Sequence, residues 1–250
     1  MTDLEKLTEM VGRSHRIVAF TGAGVSTESN IPDFRSSKGV YETIRRVYGR
    51  PPEVLLSHSF FEAHPDIFYD YLRKYLVYEK AEPNDAHKAL QKLEEMGRLQ
   101  AVVTQNIDGL HTRAGSENVL ELHGSLARNR CVRCGRTYDL AYVLAVPEGG
   151  VPRCEACGGL VRPDIVLYEE PLDGKVLERA VGAIRTADLL LVMGTSLVVY
   201  PAAGLIRYFT GDDLVLINRS ETPYDGDAAL VLHEAAGATM KRVMQALGAD

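Results

Sequence analysis

Short, continuous apolar runs recur along this chain of 250 residues, and most are separated by enough sequence to hold a helix. The candidates are Ile17 to Phe20, Ala101 to Val103, Val119 to Leu122, Ile165 to Leu167, Leu189 to Met193, Leu214 to Ile217 and Leu230 to Leu232. Runs with no polar alternation suit strands covered on both faces, so the pattern predicts an α/β fold with a parallel sheet and helices on both sides. The clearest helix is expected from Asp85 to Met96, with Asn84 as its cap, Ala86, Leu90 and Leu93 on its buried face and Gly97 at its end. Others are expected at Leu4 to Val11, Leu172 to Ile184 and Ala238 to Leu247. A hydrophobic content of 46% supports a real core. The apolar runs fall far short of the ~18 residues that span a bilayer, and the segment Met1 to Lys6 lacks a basic stretch leading into an apolar one. The chain is therefore expected to be soluble, cytoplasmic and without a membrane partner. With 28 Lys+Arg against 34 Asp+Glu the net charge is −6, which argues against a nucleic-acid partner.

Two stretches break the alternation. Residues 39–82 are rich in tyrosine with helical spacing but carry no strand signal, and residues 125–159 carry all four cysteines. Both are expected to be insertions that form a smaller second domain, leaving 1–38, 83–124 and 160–250 to the sheet. The cysteines form two pairs, Cys131 with Cys134 and Cys154 with Cys157, with 19 residues between the pairs. This is the spacing of a four-thiolate zinc site, and Gly135 and Gly158 ease the backbone just past each pair. Four protein ligands leave no open coordination position, so such a zinc is structural. The alternatives are a pair of disulfides, which needs an oxidising compartment, and a redox Cys-x-x-Cys.

Polar clusters stand just beyond the strand candidates: Thr21-Gly22-Ala23-Gly24, Thr104-Gln105-Asn106-Ile107-Asp108, His123-Gly124, Gly194-Thr195-Ser196 and Asn218. The carboxyl ends of parallel strands form the crevice where ligands bind. Gly22 and Gly24 have the spacing of a phosphate-binding turn, although a tight turn with no ligand fits as well. The third glycine of the dinucleotide fingerprint is replaced by Thr27, and Glu42 lies at no strand end, so hydride-transfer binding is disfavoured. Gly194, Thr195 and Ser196 offer a second site for phosphate or ribose, and two such sites suit a dinucleotide. His123 reads either as a structural histidine or, with Asn106 and Asp108, as part of a group that grips a ribose and moves a proton near neutral pH.

These motifs, together with Val25-Ser26, Ile31-Pro32-Asp33-Phe34-Arg35 and Val199-Tyr200-Pro201, occur in one order from about residue 15 to 220. In this the chain resembles the sirtuins, zinc-containing NAD-dependent protein lysine deacylases. The resemblance implies a Rossmann-like NAD-binding domain beside a small domain made of a helical module (39–82) and a zinc module (125–159). It implies NAD as co-substrate, one structural Zn²⁺ held by Cys131, Cys134, Cys154 and Cys157, and acyl-lysine proteins or peptides as partners. Gly22, Ala23, Gly24, Thr27, Phe34 and Arg35 are then expected in the cofactor loop. Gln105, Asn106, Ile107 and Asp108 are expected around the ribose and nicotinamide, and Gly194, Thr195, Ser196, Asn218, Arg219 and, by a looser match, Ala235 on the phosphate and adenine side. His123, with Asn106 and Asp108, is the expected catalytic group, acting as general base toward the ribose. Val166, Leu167, Tyr168 and Val199 are the expected peptide-binding residues. The implied products are free lysine, nicotinamide and 2′-O-acyl-ADP-ribose.

The chain departs from the family pattern at Asn30 and Glu169, where glycine is usual. Asn30 is expected to tolerate a left-handed backbone. Glu169 and Glu170 are expected either to favour basic residues beside the acyl-lysine or to be merely solvated. The positions that recognise succinyl groups in some family members are Leu72 and Tyr75 here, with Arg73, Tyr69 and Tyr71 nearby but out of register, so acetyl and other short uncharged chains are expected. A mono-ADP-ribosyltransferase on the same fold, a NAD-linked oxidoreductase and a non-catalytic sensor are the competing readings, and a monomer is expected.

Overall fold

The computed structural model describes residues 1–33 and 38–249. Helix α1 (Asp3–Arg13) opens with a reciprocal cap, the Glu5 N–H donating to Thr2 Oγ1 at 3.2 Å and the Thr2 N–H to Glu5 Oε2 at 2.7 Å. It leads into strand β1 (Ile17–Thr21) and a 3-10 turn, Ala23–Ser29. Next come helices α2 (Lys38–Tyr48), α3 (Pro52–Leu55), α4 (His58–Ala63) and α5 (Pro65–Tyr71), then α6 (Asp85–Glu95), where Asn84 Oδ1 accepts from the Ala86 N–H at 3.0 Å. Beyond these lie β2 (Leu99–Thr104), α7 (Leu110–Arg113), β3 (Val119–Glu121), β4 (Gly124–Cys131), β5 (Thr137–Asp139), α8 (Leu140–Leu144) and β6 (Val161–Ile165). The chain ends with α9 (Gly174–Thr186), β7 (Leu189–Met193), β8 (Asp213–Ile217), β9 (Leu230–Leu232) and α10 (Ala236–Ala246).

Six strands form one parallel sheet in the order β3-β2-β1-β7-β8-β9. Alternate residues of each strand enter opposite cores. Ile17, Ala19, Leu189, Leu191 and Met193 pack with α1, α6 and α10, while Val18, Phe20, Leu190 and Val192 pack with α9 and the 3-10 turn Ala202–Tyr208. Burial on both faces is why these strands read as unbroken apolar runs. The chain leaves β1 toward β2 and β3 on one side and later builds β7, β8 and β9 on the other, so the crevice of an open α/β sheet falls at the carboxyl end of β1.

The run Ile165 to Leu167, expected as a strand of this sheet, does not join it. Val161–Ile165 instead pairs antiparallel with β4 in a separate three-stranded sheet, with Gly124 opposite Ile165 and Cys131 opposite Val161. The reason is packing: Val161, Ile165 and Leu167 bury against Phe61, Phe68, Tyr69 and Tyr71 in a third core that residues 39–82 and 125–159 build together. The tyrosine stripe is thus core, with Phe61 and Phe68 edge-to-face at 4.8 Å. No helix among the described residues is long and apolar enough to cross a membrane.

Candidate active site

At the carboxyl end of β1, the Gly22 N–H donates to Met193 O at 3.1 Å, the Gly24 N–H to Gly194 O at 2.7 Å and the Gly194 N–H to Ile217 O at 3.0 Å. A Cβ on Gly22 would lie 2.7 Å from that of Thr195, and one on Gly24 2.8 Å from the Gly194 backbone. Gly194 itself has φ 59°, and its Cβ would meet the Val25 nitrogen at 2.2 Å. Gly22 and Gly24 therefore let two strand-end turns interlock, and their own amides donate within the fold. The 3-10 turn closes on Asn30, which adopts the left-handed conformation at φ 61° as expected.

Around this turn the polar residues after β2 converge. Asn106 is buried and its Nδ2 donates to Gly22 O at 3.1 Å and Ser26 Oγ at 3.2 Å, while Ser26 Oγ donates to Asp108 Oδ2 at 2.7 Å. Burial pushes the Asp108 carboxyl up, against the bonds it accepts from the Leu110 N–H and Ser26. Gln105 Nε2 donates to Thr195 Oγ1 at 3.1 Å, joining the β2 and β7 rims. His123, after β3, places Nδ1 2.9 Å from Gln105 O. A carbonyl can only accept, so Nδ1 carries the proton and Nε2 holds the lone pair of a neutral ring. Burial lowers the imidazole's pKa despite this bond, which keeps the ring neutral at pH 7.

Elsewhere around the crevice, Ala23 is exposed on the turn, and Thr27 Oγ1 donates to Gly24 O at 2.9 Å. Phe34 and Arg35 lie outside the described residues. Ile107 packs against the third core and its carbonyl accepts from the Leu126 N–H at 3.0 Å, so it links the cleft to the insertions. Thr195 is buried, Ser196 half-buried, and Asn218 and Arg219 come just after β8, with Asn218 Nδ2 donating to Ser220 O at 2.7 Å. Ala235 sits at the start of α10. Sequence reasoning gives no role to Ser26 or Glu28. The Glu28 carboxylate accepts from the Gly237 and Ala238 N–H groups at 2.6 and 3.2 Å, fastening the turn to α10.

Beyond β6, Val166 is bonded to His123 and Tyr168 bridges to the helical insertion. The Val166 N–H donates to His123 O at 2.9 Å, the Tyr168 N–H to Leu56 O at 2.9 Å, and Tyr168 O accepts from the His58 N–H at 3.0 Å. Leu167 is buried, and Val199 is half-buried before the Ala202–Tyr208 turn. Glu169 is exposed and Glu170 half-buried, and both carboxylates accept hydrogen bonds from within the chain. Arg73 donates to Gly150 O at 2.9 Å and stacks over Tyr69, which takes its guanidinium to the zinc-bearing insertion.

The four cysteine sulfurs lie within 4.8 Å of one another, with Cys131 to Cys157 and Cys134 to Cys154 each at 3.5 Å. A disulfide needs about 2.05 Å, whereas thiolates around zinc at ~2.3 Å stand roughly 3.8 Å apart. The donor set fits a tetrahedral zinc, and Gly135 and Gly158 adopt φ 74° and 70° beside it.

A doubly covered parallel sheet with a polar crevice at its switch point, flanked by a thiolate-stapled insertion, defines a nucleotide-cleft α/β protein. The Sir2 family model matches residues 22–201. The chain is 54% identical over 241 residues to an NAD-dependent protein deacetylase of Clostridium acetobutylicum, covering 96% of this chain and 98% of that protein. It is 46% identical to one of Staphylococcus aureus, over 97% and 98% of the two chains. Its structure resembles Sir2Tm bound to a propionylated peptide, with a TM-score of 0.87 and 38% identity over the whole of both chains. A Sir2–p53 peptide–NAD+ complex is similar at a TM-score of 0.85, again with 38% identity over the whole of both chains. This chain belongs to the Sir2 family.

Proposed function

We propose that the chain is an NAD-dependent protein deacetylase acting on acetyl-lysine peptides. The observation that carries this reading is His123, a half-buried imidazole at the strand-end crevice whose Nδ1–H is fixed on Gln105 O and whose Nε2 is left as a base. The relatives' activity and the NAD and acyl-peptide complexes of the similar structures support it. The hydroxyls of Thr195 and Ser196, the carboxamides of Gln105, Asn106 and Asn218 and the Arg219 guanidinium suit a polyhydroxylated diphosphate. Bound NAD supplies a ribose carbon from which nicotinamide departs, creating the acceptor for the acyl group. Ala23, Thr27, Gln105, Asn106, Ile107 and Asp108 would hold its nicotinamide ribose, and Thr195, Ser196, Asn218, Arg219 and Ala235 its adenosine half. Asn106 and Ser26 orient Asp108 and the turn, and His123 Nε2 takes a proton from a ribose hydroxyl. Val166, Leu167, Tyr168 and Val199 would contact an extended peptide through side chains and through carbonyls that can accept from it, since the N–H groups of Val166, Leu167 and Tyr168 already donate to His123 O, Glu170 Oε2 and Leu56 O. Zinc, held by Cys131, Cys134, Cys154 and Cys157, supplies cross-linking only.

The nucleotide domain in this reading comprises 1–38, 83–124 and 160–250, with β6 shared with the zinc module of 125–159, and 39–82 as the helical module. In this reading the chain is a cytoplasmic monomer, and the net charge of −6 argues against a nucleic-acid partner. The test is nicotinamide release from NAD with and without an acetyl-lysine peptide, in the native chain and in His123→Ala. Peptide-dependent release that yields acetyl-ADP-ribose and requires His123 is expected. Transfer of ADP-ribose to protein without deacetylation would replace this reading with the transferase one.

A further inference from the structure

Glu169 has φ 76°, a conformation in which glycine is the ordinary residue. Its carboxylate reaches to α4, where Oε2 accepts from the Ser59 N–H and Oε1 from the Ser59 hydroxyl, both at 2.9 Å. Glu170 faces the other way. Its Oε1 accepts from Arg162 Nη1 at 2.6 Å and lies 2.8 Å from His58 Nδ1, and its Oε2 accepts from the Leu167 N–H at 2.9 Å and Arg162 Nη2 at 3.0 Å. Between these anchors the Tyr168 backbone is bridged to Leu56 and His58. Leu167 and Tyr168 therefore stand in a frame tied to the helical insertion by two neighbouring carboxylates.

We propose that Glu169 is a positioning residue for the acyl-lysine peptide: its carboxylate, bound to Ser59, sets the register of the Leu167–Tyr168 edge against α4 and does not read substrate charge. The inference rests on the assignment of 166–168 as the peptide edge. It explains why a side chain is kept where the backbone favours glycine, since glycine would relax the turn and lose both bonds to Ser59.

The test is steady-state kinetics of the wild type, Glu169→Gly, Glu169→Ala, Glu169→Gln and Ser59→Ala, with acetyl-lysine peptides flanked by basic or by acidic residues, at low and high salt. Losing hydrogen bonds to a charged group predicts a peptide KM raised roughly tenfold for Glu169→Gly, equally for both peptides and at both salts. The kcat and the KM for NAD stay nearly unchanged. Glu169→Gln, which keeps one acceptor, falls between wild type and Gly, and the Glu169→Gly/Ser59→Ala double variant is no worse than Glu169→Gly. Zinc content and thermal unfolding report folding, and Glu169→Gly and Ser59→Ala decide the matter if Glu169→Ala unfolds. A rise confined to the basic peptide and removed by salt overturns the proposal in favour of charge reading. Peptides N-methylated beside the acetyl-lysine separate the two levels: if methylation raises KM but the Glu169 variants do not, positioning alone fails. If methylation leaves KM unchanged, the edge assignment fails and takes the proposal with it.

Discussion

The strand-end cleft and the insertions beside it both gather polar groups around a rim, but they hold them by different physics. In the cleft, main-chain bonds between the turns at Gly22, Gly24 and Gly194 do the holding, and the sheet beneath is buried on both faces. The insertions share a separate core of aromatic and aliphatic side chains, joined to β6 and to the cysteines, and rely also on thiolates and on the Arg162–Glu170 pair. That pair holds the Glu170 carboxyl at about 2 although burial alone would raise it. The contrast teaches that a site can be preformed by backbone interlock on one side and depend on a metal on the other.

Removing the metal is the harshest way to test this. Structural zinc contributes ~10–16 kcal/mol of apparent binding energy in small domains, so a chelator, or Cys131→Ala, should unfold the insertions while leaving the sheet. Near-UV circular dichroism, to which the insertions contribute eight of the 12 tyrosines, should fall sharply, far-UV helix and strand signal should largely persist, and turnover should vanish. Concerted loss of both signals would show that the regions are one cooperative unit.

His123→Ala probes the cleft alone. A lost general base is worth about 10²–10⁴ in kcat, with the melting temperature and zinc content unchanged. A kcat within threefold of wild type would exclude His123 from proton transfer.

Acid should also act on the sheet side. His87 and His111 are buried with ring centroids 4.7 Å apart, and burial holds them at about 4 and about 3. Both values are below the unfolded one near 6.5, so the unfolded state takes up protons first and stability falls as pH drops below 6.5. Between pH 7 and pH 5 each histidine should cost roughly 2 kcal/mol, measured by urea unfolding, and His87→Gln should flatten the profile. The same pH dependence in that variant would locate the effect elsewhere.

The smallest expected effect concerns the interlock itself. Gly24→Ala forces a methyl against the Gly194 backbone and should cost about 1–3 kcal/mol, seen as a lower melting temperature together with a raised KM for NAD. An unchanged melt would mean that the two turns can part without penalty.

Much of this architecture is legible in residue patterns. Six of the seven expected strands lie in the parallel sheet, Asn84 caps α6, the cysteine spacing corresponds to a sulfur cluster, and Asn30 takes the left-handed turn. Ile165 to Leu167 misleads because a short apolar run does not say which core buries it. That Gly22 and Gly24 pack against the Gly194–Thr195 backbone is not legible in their spacing, since a sequence does not show which other backbone a turn meets. The bonds of Glu169 and Glu170 are not legible because their partners, Ser59 and Arg162, are set by how the chain folds back on itself.

The order of elements, the sheet's parallel character, the metal's donor set and the polar groups after each strand were determined by sequence alone, because periodicity, side-chain chemistry and ligand spacing are local properties. Tertiary structure alone decided which nitrogen of His123 carries the proton, that Ser26 and Glu28 brace the turn after β1, and that the Glu169 and Glu170 carboxylates find partners within the chain. Each of these depends on groups 18 to 209 positions apart in the chain meeting within hydrogen-bond distance, or, for Glu170, on how the turn after β6 folds back on Arg162.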